Sequence, residues 1–234
     1  MLPDWLNRFL GALERGVSLQ DVGRSAQFTA LVEKVARVIA RTGATPNGMT
    51  VLSLVPAILA AVCAARGAFG WTVAFMLLSG IMDLLDGPLA RATGRSSRFG
   101  ALLDSTLDRI SDALPLIGLS VFFARGGWGW AAAIPSFALL SGYTVSYVRA
   151  RCEGLAIALP PLWMRRGDRL ALVAVSLLAG MIAPVLLLTG TALVGVLSLL
   201  AATDALRVAH RECRVADAPA PDEAGSTSSG SGTV

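Results

Sequence analysis

The stretch Asp83-Leu84-Leu85-Asp86-Gly87-Pro88-Leu89-Ala90-Arg91, followed after eight residues by Gly100-Ala101-Leu102-Leu103-Asp104-Ser105-Thr106-Leu107-Asp108, decides how the chain is read. Its carboxylates come in two pairs, three and four residues apart, and those spacings point each pair along one helix face. The sequence around them is oily. A charge within a membrane segment costs roughly 3 kcal/mol on insertion scales, so such residues line a functional cavity or meet a counter-ion.

Working outward, the chain is 54% hydrophobic and 15% charged with a mean hydropathy of +0.64. An average soluble domain is about half apolar and about a quarter charged, so an ordinary soluble domain is excluded. Four runs, Thr42 to Ala65, Gly67 to Met82, Gly126 to Val148 and Leu170 to Thr203, contain no Asp, Glu, Lys or Arg. The last is too long for a single span of about 20 residues, and Ala183-Pro184 and Gly190 near its middle predict a tight hairpin of two.

The expected fold is therefore an all-α integral membrane protein with six transmembrane helices. They run at about Gly48 to Ala65, Gly70 to Ala92 and Phe99 to Ala124, then a fourth that ends at about Arg151, with two more between Leu170 and His210. Thr45-Pro46-Asn47 breaks the helical pattern ahead of the first, and Trp128 and Trp130 mark an interface ahead of the fourth. Before the spans, Leu31, Val35, Val38 and Ile39 alternate with Glu33, Lys34, Arg37 and Arg41, the pattern of an N-terminal amphipathic interfacial helix.

Residues 1–25 form an N-terminal extension, read as a surface helix, a partner-binding segment or a disordered arm, and 26–212 form the membrane domain. The first apolar stretch, interrupted by Arg8 and Glu14, does not read as a cleavable signal. Residues 213–234, rich in Ala, Pro, Ser and Gly, are expected to be a disordered tail.

Six spans put both termini on one side, and the basic residues test that arrangement independently. Of the 20 Lys and Arg, all but Arg66 and Arg125 fall on the side of the carboxylate cluster, which the positive-inside rule makes cytoplasmic. The expected location is the cell (inner) membrane. The net charge of +4 suits anionic lipid or a phosphorylated substrate, and basic cytoplasmic loops alone also account for it. No nucleic-acid partner is expected. Cys63, Cys152 and Cys213 are widely separated and read as packing residues, and His210, between Arg207 and Arg211, reads as part of a solvated basic helix end.

Seven residues, Thr93 to Phe99, join the second and third spans, so the two Asp pairs are expected to meet across antiparallel neighbours. Four like charges so close repel unless cations intervene, and two divalent ions would balance them. Oxygen-only ligands favour Mg2+ or Mn2+ over zinc. Such a site suits binding of phosphate oxygens and departure of a phosphate. Gly87, Ala90 and Gly100 either let a substrate approach the backbone or allow close helix packing, and Arg91 offers a planar donor for phosphate.

Asp-x-x-Asp-Gly-x-x-Ala-Arg, eight residues, then Gly-x-x-x-Asp-x-x-x-Asp resembles the signature of the CDP-alcohol phosphotransferase family. Asp83, Asp86, Gly87, Ala90, Arg91, Gly100, Asp104 and Asp108 fill every fixed position. The resemblance implies a six-helix membrane fold, a homodimer, and transfer of a phosphatidyl group from CDP-diacylglycerol to an alcohol with release of CMP. It also implies that Asp83, Asp86, Asp104 and Asp108 hold two metal ions, with Asp108 as the base that takes the acceptor's proton. Asn47, Thr50, Gly87, Arg91 and Ser97 match positions that contact the CDP moiety.

The acceptor is suggested by Ser97 to Asp112 and by Ser146-Tyr147-Val148-Arg149-Ala150-Arg151-Cys152-Glu153. Both resemble the inositol-phosphate branch, bacterial phosphatidylinositol phosphate synthases and archaeal relatives, more than glycerophosphate enzymes. A phosphorylated polyol, inositol 1-phosphate first, is the expected acceptor, with Arg149, Arg151, Arg166 and Arg169 binding it. Glycerol 3-phosphate, serine and free inositol are the alternatives. Where the branch has Glu-Arg-Pro-Glu-Arg this chain reads Arg165-Arg166-Gly167-Asp168-Arg169, which keeps two arginines three apart but alters their surroundings. Asp112 is either a further polar site residue or a helix–helix hydrogen-bonding group. A reading from another class, an ion-coupled transporter with an intramembrane carboxylate relay, finds no internal repeat to support it.

Overall fold

A computed structural model describes residues 26–160 and 163–216. Eight α-helices and one short 3-10 turn make up the regular structure, and no strand occurs among the described residues. They are α1 (Ala26–Ala40), α2 (Pro46–Leu52), α3 (Leu54–Ala65), α4 (Phe69–Thr93), α5 (Arg98–Arg125), α6 (Ala133–Gly154, preceded by the 3-10 turn Gly129–Ala132), α7 (Arg166–Gly180) and α8 (Pro184–Ala216). Four helical stretches are long and apolar enough to cross a membrane: Pro46–Ala65, Phe69–Thr93, Gly129–Gly154 and Pro184–Arg214. The expected third and fifth spans are helical but do not join them. α5 carries Asp104, Asp108, Arg109 and Asp112 between its start and its middle turn, and α7 has only 15 residues.

Local chemistry explains the boundaries. The first expected span is bent into α2 and α3 at Ser53, because the ring of Pro56 has no N–H for the carbonyl of Leu52 and crowds it. Ser79 of α4 donates to the carbonyl of Ser53 at 2.9 Å and holds the bend in place. Gly94, at φ 66°, ends α4 in the left-handed region that glycine enters freely, and the N–H of Arg95 returns to the carbonyl of Ala90 at 3.0 Å. The hairpin forms where Ala183-Pro184 predicts it, and α8 then runs on to Ala216, past the boundary expected at Cys213. α1 is helical over the expected segment and leaves Leu31, Val35 and Val38 exposed, with Ala36 buried. The N-terminal extension and the rest of the tail lie outside the described residues.

Packing divides the molecule into two groups. α3 lies against α4 and α5, while α8 lies against α6 and α7; α4 and α5 touch each other only sparingly. Contact within each group depends on small residues, as expected where helices associate by close approach. A Cβ on Gly118 of α5 would sit 2.3 Å from the carbonyl oxygen of Ala61 in α3, and backbone cannot yield as a flexible side chain would. Gly118→Ala should therefore lower stability by about 1–3 kcal/mol, the usual cost of overpacking, measurable as a lower melting temperature in detergent. The apolar core joins both groups through Leu119 and Phe123 of α5, Val145 of α6, Leu177 of α7 and Leu187 and Val194 of α8.

Candidate active site

Ser97 opens α5 as its N-cap, in extended backbone, and accepts a hydrogen bond from the N–H of Gly100 at 3.0 Å. Starting the helix there fixes the register that puts Asp104, Asp108 and Asp112 on one face at intervals of four. Asp83 comes from the second half of α4. Carboxylate oxygens of Asp83, Asp104 and Asp108 all lie within 4.8 Å of one another. Asp108 Oδ1 is buried without a hydrogen-bond donor, although Arg166 Nη1 lies 2.7 Å away as an ion pair. Three converging carboxylates, one with an unsatisfied oxygen, fit a hard divalent cation.

Asp86, the fourth expected ligand, stands outside that triad. It interacts electrostatically with Asp83 and Asp104, and its Oδ2 accepts a 2.9 Å hydrogen bond from Thr50 Oγ1. Thr50 is buried, 3% exposed, and its hydroxyl orients Asp86. The other expected CDP contacts gather at the same end. A Cβ on Gly100 would stand 3.0 Å from Asn47 Oδ1 and 3.1 Å from Ser97 Oγ, so glycine lets the start of α2 approach the start of α5. On Gly87 a Cβ would meet only Arg91 Nη1, at 3.7 Å, leaving the backbone beside Asp86 open.

α7 supplies the counter-charge. Asp168, in the first turn, accepts from the N–H of Arg165 at 2.9 Å and so satisfies a backbone donor at the start of the helix. Arg166 then reaches across to three acids: Nη1 lies 2.8 Å from Asp83 Oδ2 and 2.7 Å from Asp108 Oδ1, and Nε lies 3.0 Å from Asp112 Oδ1. Asp112 thus makes the helix–helix hydrogen bond that was one of its two readings. Arg166, expected to bind the acceptor, is placed against the acids themselves.

Beside this cluster lies a cavity lined by Arg109, Asp112, Gly142, Tyr143, Ser146 and Arg169 together with apolar residues. Arg169 donates from Nη2 to Ser146 Oγ and from Nη1 to the carbonyl of Met164, both at 3.3 Å. Met164 has a φ of 60°, a left-handed conformation that costs a non-glycine residue about 1 kcal/mol and here aims its carbonyl at Arg169. Arg149 and Arg151 are exposed near the end of α6 and line no part of the cavity. Sequence reading overlooked Arg109 and Tyr143; Arg109 lies five residues after Asp104, one step around the helix from the acidic face.

This chain belongs to the CDP-alcohol phosphatidyltransferase family, whose sequence profile matches residues 44–203. Among its relatives, a phosphatidylinositol phosphate synthase of Streptomyces avermitilis is 39% identical over 151 residues, 63% of this chain and 62% of that protein. An archaetidylinositol phosphate synthase of Pyrococcus horikoshii is 34% identical over 160 residues, 62% of this chain and 75% of that one. The phosphatidylinositol phosphate synthase of Mycobacterium tuberculosis, solved with CDP-DAG bound, superposes with a TM-score of 0.74 at 26% identity. The match covers 82% of this chain and 99% of that one. The same enzyme in complex with manganese and citrate gives 0.71 at 26% identity, covering 81% and 93%.

Proposed function

We propose that this protein transfers a phosphatidyl group from CDP-diacylglycerol to inositol 1-phosphate, releasing CMP. The observation that carries this reading is the triad of Asp83, Asp104 and Asp108 opening beside a cavity that holds Arg109 and Arg169. The acids suit a metal-assisted displacement at phosphorus, and the arginines suit an acceptor that already bears a phosphate. Two Mg2+ ions, with Mn2+ as a substitute, held by Asp83, Asp86, Asp104 and Asp108, would supply charge neutralisation for the pyrophosphate. The family and the named relatives favour this transfer over ion-coupled transport.

The chain's own residues perform the remaining tasks. Asp108 takes the proton from the acceptor hydroxyl; that oxygen then bonds to the lipid-side phosphorus of CDP-diacylglycerol, and the bond to the bridging oxygen breaks as CMP leaves. Thr50 keeps Asp86 turned toward the acids. Asn47 and Ser97, brought together at Gly100, and Arg91, beside Gly87, contact the CDP moiety. Ser97 Oγ accepts from Gly100, so its own hydrogen is left to donate to a phosphate oxygen. Arg169 and Arg109 receive the acceptor's phosphate.

In the membrane, α5 and α7 complete six spans, α1 lies at the interface, and the acids face the cytoplasm of the cell membrane together with both termini. The protein acts as a homodimer. Purified protein with Mg2+ and CDP-diacylglycerol should release CMP faster with inositol 1-phosphate than with glycerol 3-phosphate, serine or free inositol, and no release with any of them would overturn the reading. Arg169→Ala should raise the KM for the phosphorylated acceptor about 10- to 100-fold, the worth of a charged hydrogen bond, and leave the KM for CDP-diacylglycerol unchanged.

A further inference from the structure

Arg166 is built with two ends that have different partners. Its Nη1 engages Asp83 and Asp108, two members of the triad that fits a cation. Its Nε engages both oxygens of Asp112, at 3.0 and 3.2 Å, and Asp112 is outside that triad and lines the neighbouring cavity. Asp83 and Asp108 are about one-fifth exposed, so solvent screens the interaction only partly. A divalent ion on the carboxylate oxygens that Arg166 engages would stand close to the guanidinium, cation against cation. Within about 4 Å their charges repel strongly at the effective dielectric of such a site.

We infer that Arg166 is an internal counter-ion that competes with the divalent metal for Asp83 and Asp108, and that Asp112 is the tether that keeps it at the cavity when the metal takes those oxygens. This rests on the reading of the triad as a metal site. The released end of the guanidinium then has a new anion to meet, the phosphate of an acceptor in the cavity. Metal and phosphorylated acceptor therefore help each other bind, and the effect is reciprocal because it is a coupling free energy between two sites. Arg166 acts through its charge, with no proton to transfer.

The test is Mn2+ binding to the full chain in lipid nanodiscs, followed by the electron paramagnetic resonance signal of free Mn2+, with no turnover required. Arg166→Gln should tighten the Mn2+ dissociation constant about tenfold, within the usual range for coupled sites. Inositol 1-phosphate should tighten Mn2+ binding to the wild type and leave Arg166→Gln unmoved. Arg166→Lys retains a positive charge to protect the fold, but an ammonium cannot hold Asp112 and the triad together. It should fall between the other two. Equal or weaker Mn2+ binding by both variants would overturn the competition and leave the metal site standing. A wild type that binds no Mn2+ would overturn the metal site and the inference together.

Discussion

Asp108→Asn is expected to lower kcat for CMP release by about 10³-fold, within the range assigned to a positioned general base. The substitution keeps size and shape but removes the ability to accept a proton. Asp108 is the member of the triad with a buried oxygen met only by the Arg166 ion pair, and it stands nearly three helical turns inside α5, away from the cap at Ser97 where the proposed CDP contacts lie. CDP-diacylglycerol binding should accordingly survive, and a binding measurement on the same preparation separates loss of chemistry from loss of fold. Arg166 loses one of its three acidic partners in this variant but keeps Asp83 and Asp112, so α7 stays anchored. A variant with wild-type kcat would remove Asp108 from the role of base.

Chelation should have an effect at least as large. EDTA is expected to reduce CMP release by about 10³-fold or more, equivalent to ~4 kcal/mol of transition-state stabilisation, with recovery on adding Mg2+ or Mn2+. The physical reason is charge. In the proposed reaction Asp83, Asp104 and Asp108 would present three carboxylates to a pyrophosphate that is itself anionic, and Arg166 offers a single positive charge among them. Without a divalent cation the substrate's phosphates would face acids of their own sign. Activity that persists in excess chelator would show that arginines alone neutralise the transferred group.

The acidic site was legible in sequence because its information is local. Asp104, Asp108 and Asp112 follow a helical interval, and Asp83 precedes them by one short turn between helices. The bend at Ser53 was legible in principle as well, since Pro56 announces it three residues later. What sequence spacing does not carry is the pairing of Arg166 with acids 83, 58 and 54 residues earlier, because no periodicity links separate helices. The roles of Arg149 and Arg151 were drawn from a shared motif. The fold leaves them exposed at the end of α6, while Arg169, a turn into α7, faces the cavity. Thr50 shows the same limit, for its hydroxyl serves a carboxylate on another helix.

The unequal arms of the α7–α8 hairpin bear on which substrate would travel in the proposed reaction. At about 1.5 Å per residue, the 15 residues of α7 rise roughly 22 Å, short of a hydrocarbon core of about 30 Å, whereas the 33 residues of α8 rise roughly 50 Å. In the six-span arrangement, Arg166 at the start of α7 consequently sits below the plane of the lipid headgroups. A lipid donor can then react while its chains remain in their leaflet, and the water-soluble partner makes the descent. A catalyst of the proposed kind would work as a well sunk into the membrane surface, into which the phosphorylated polyol is lowered.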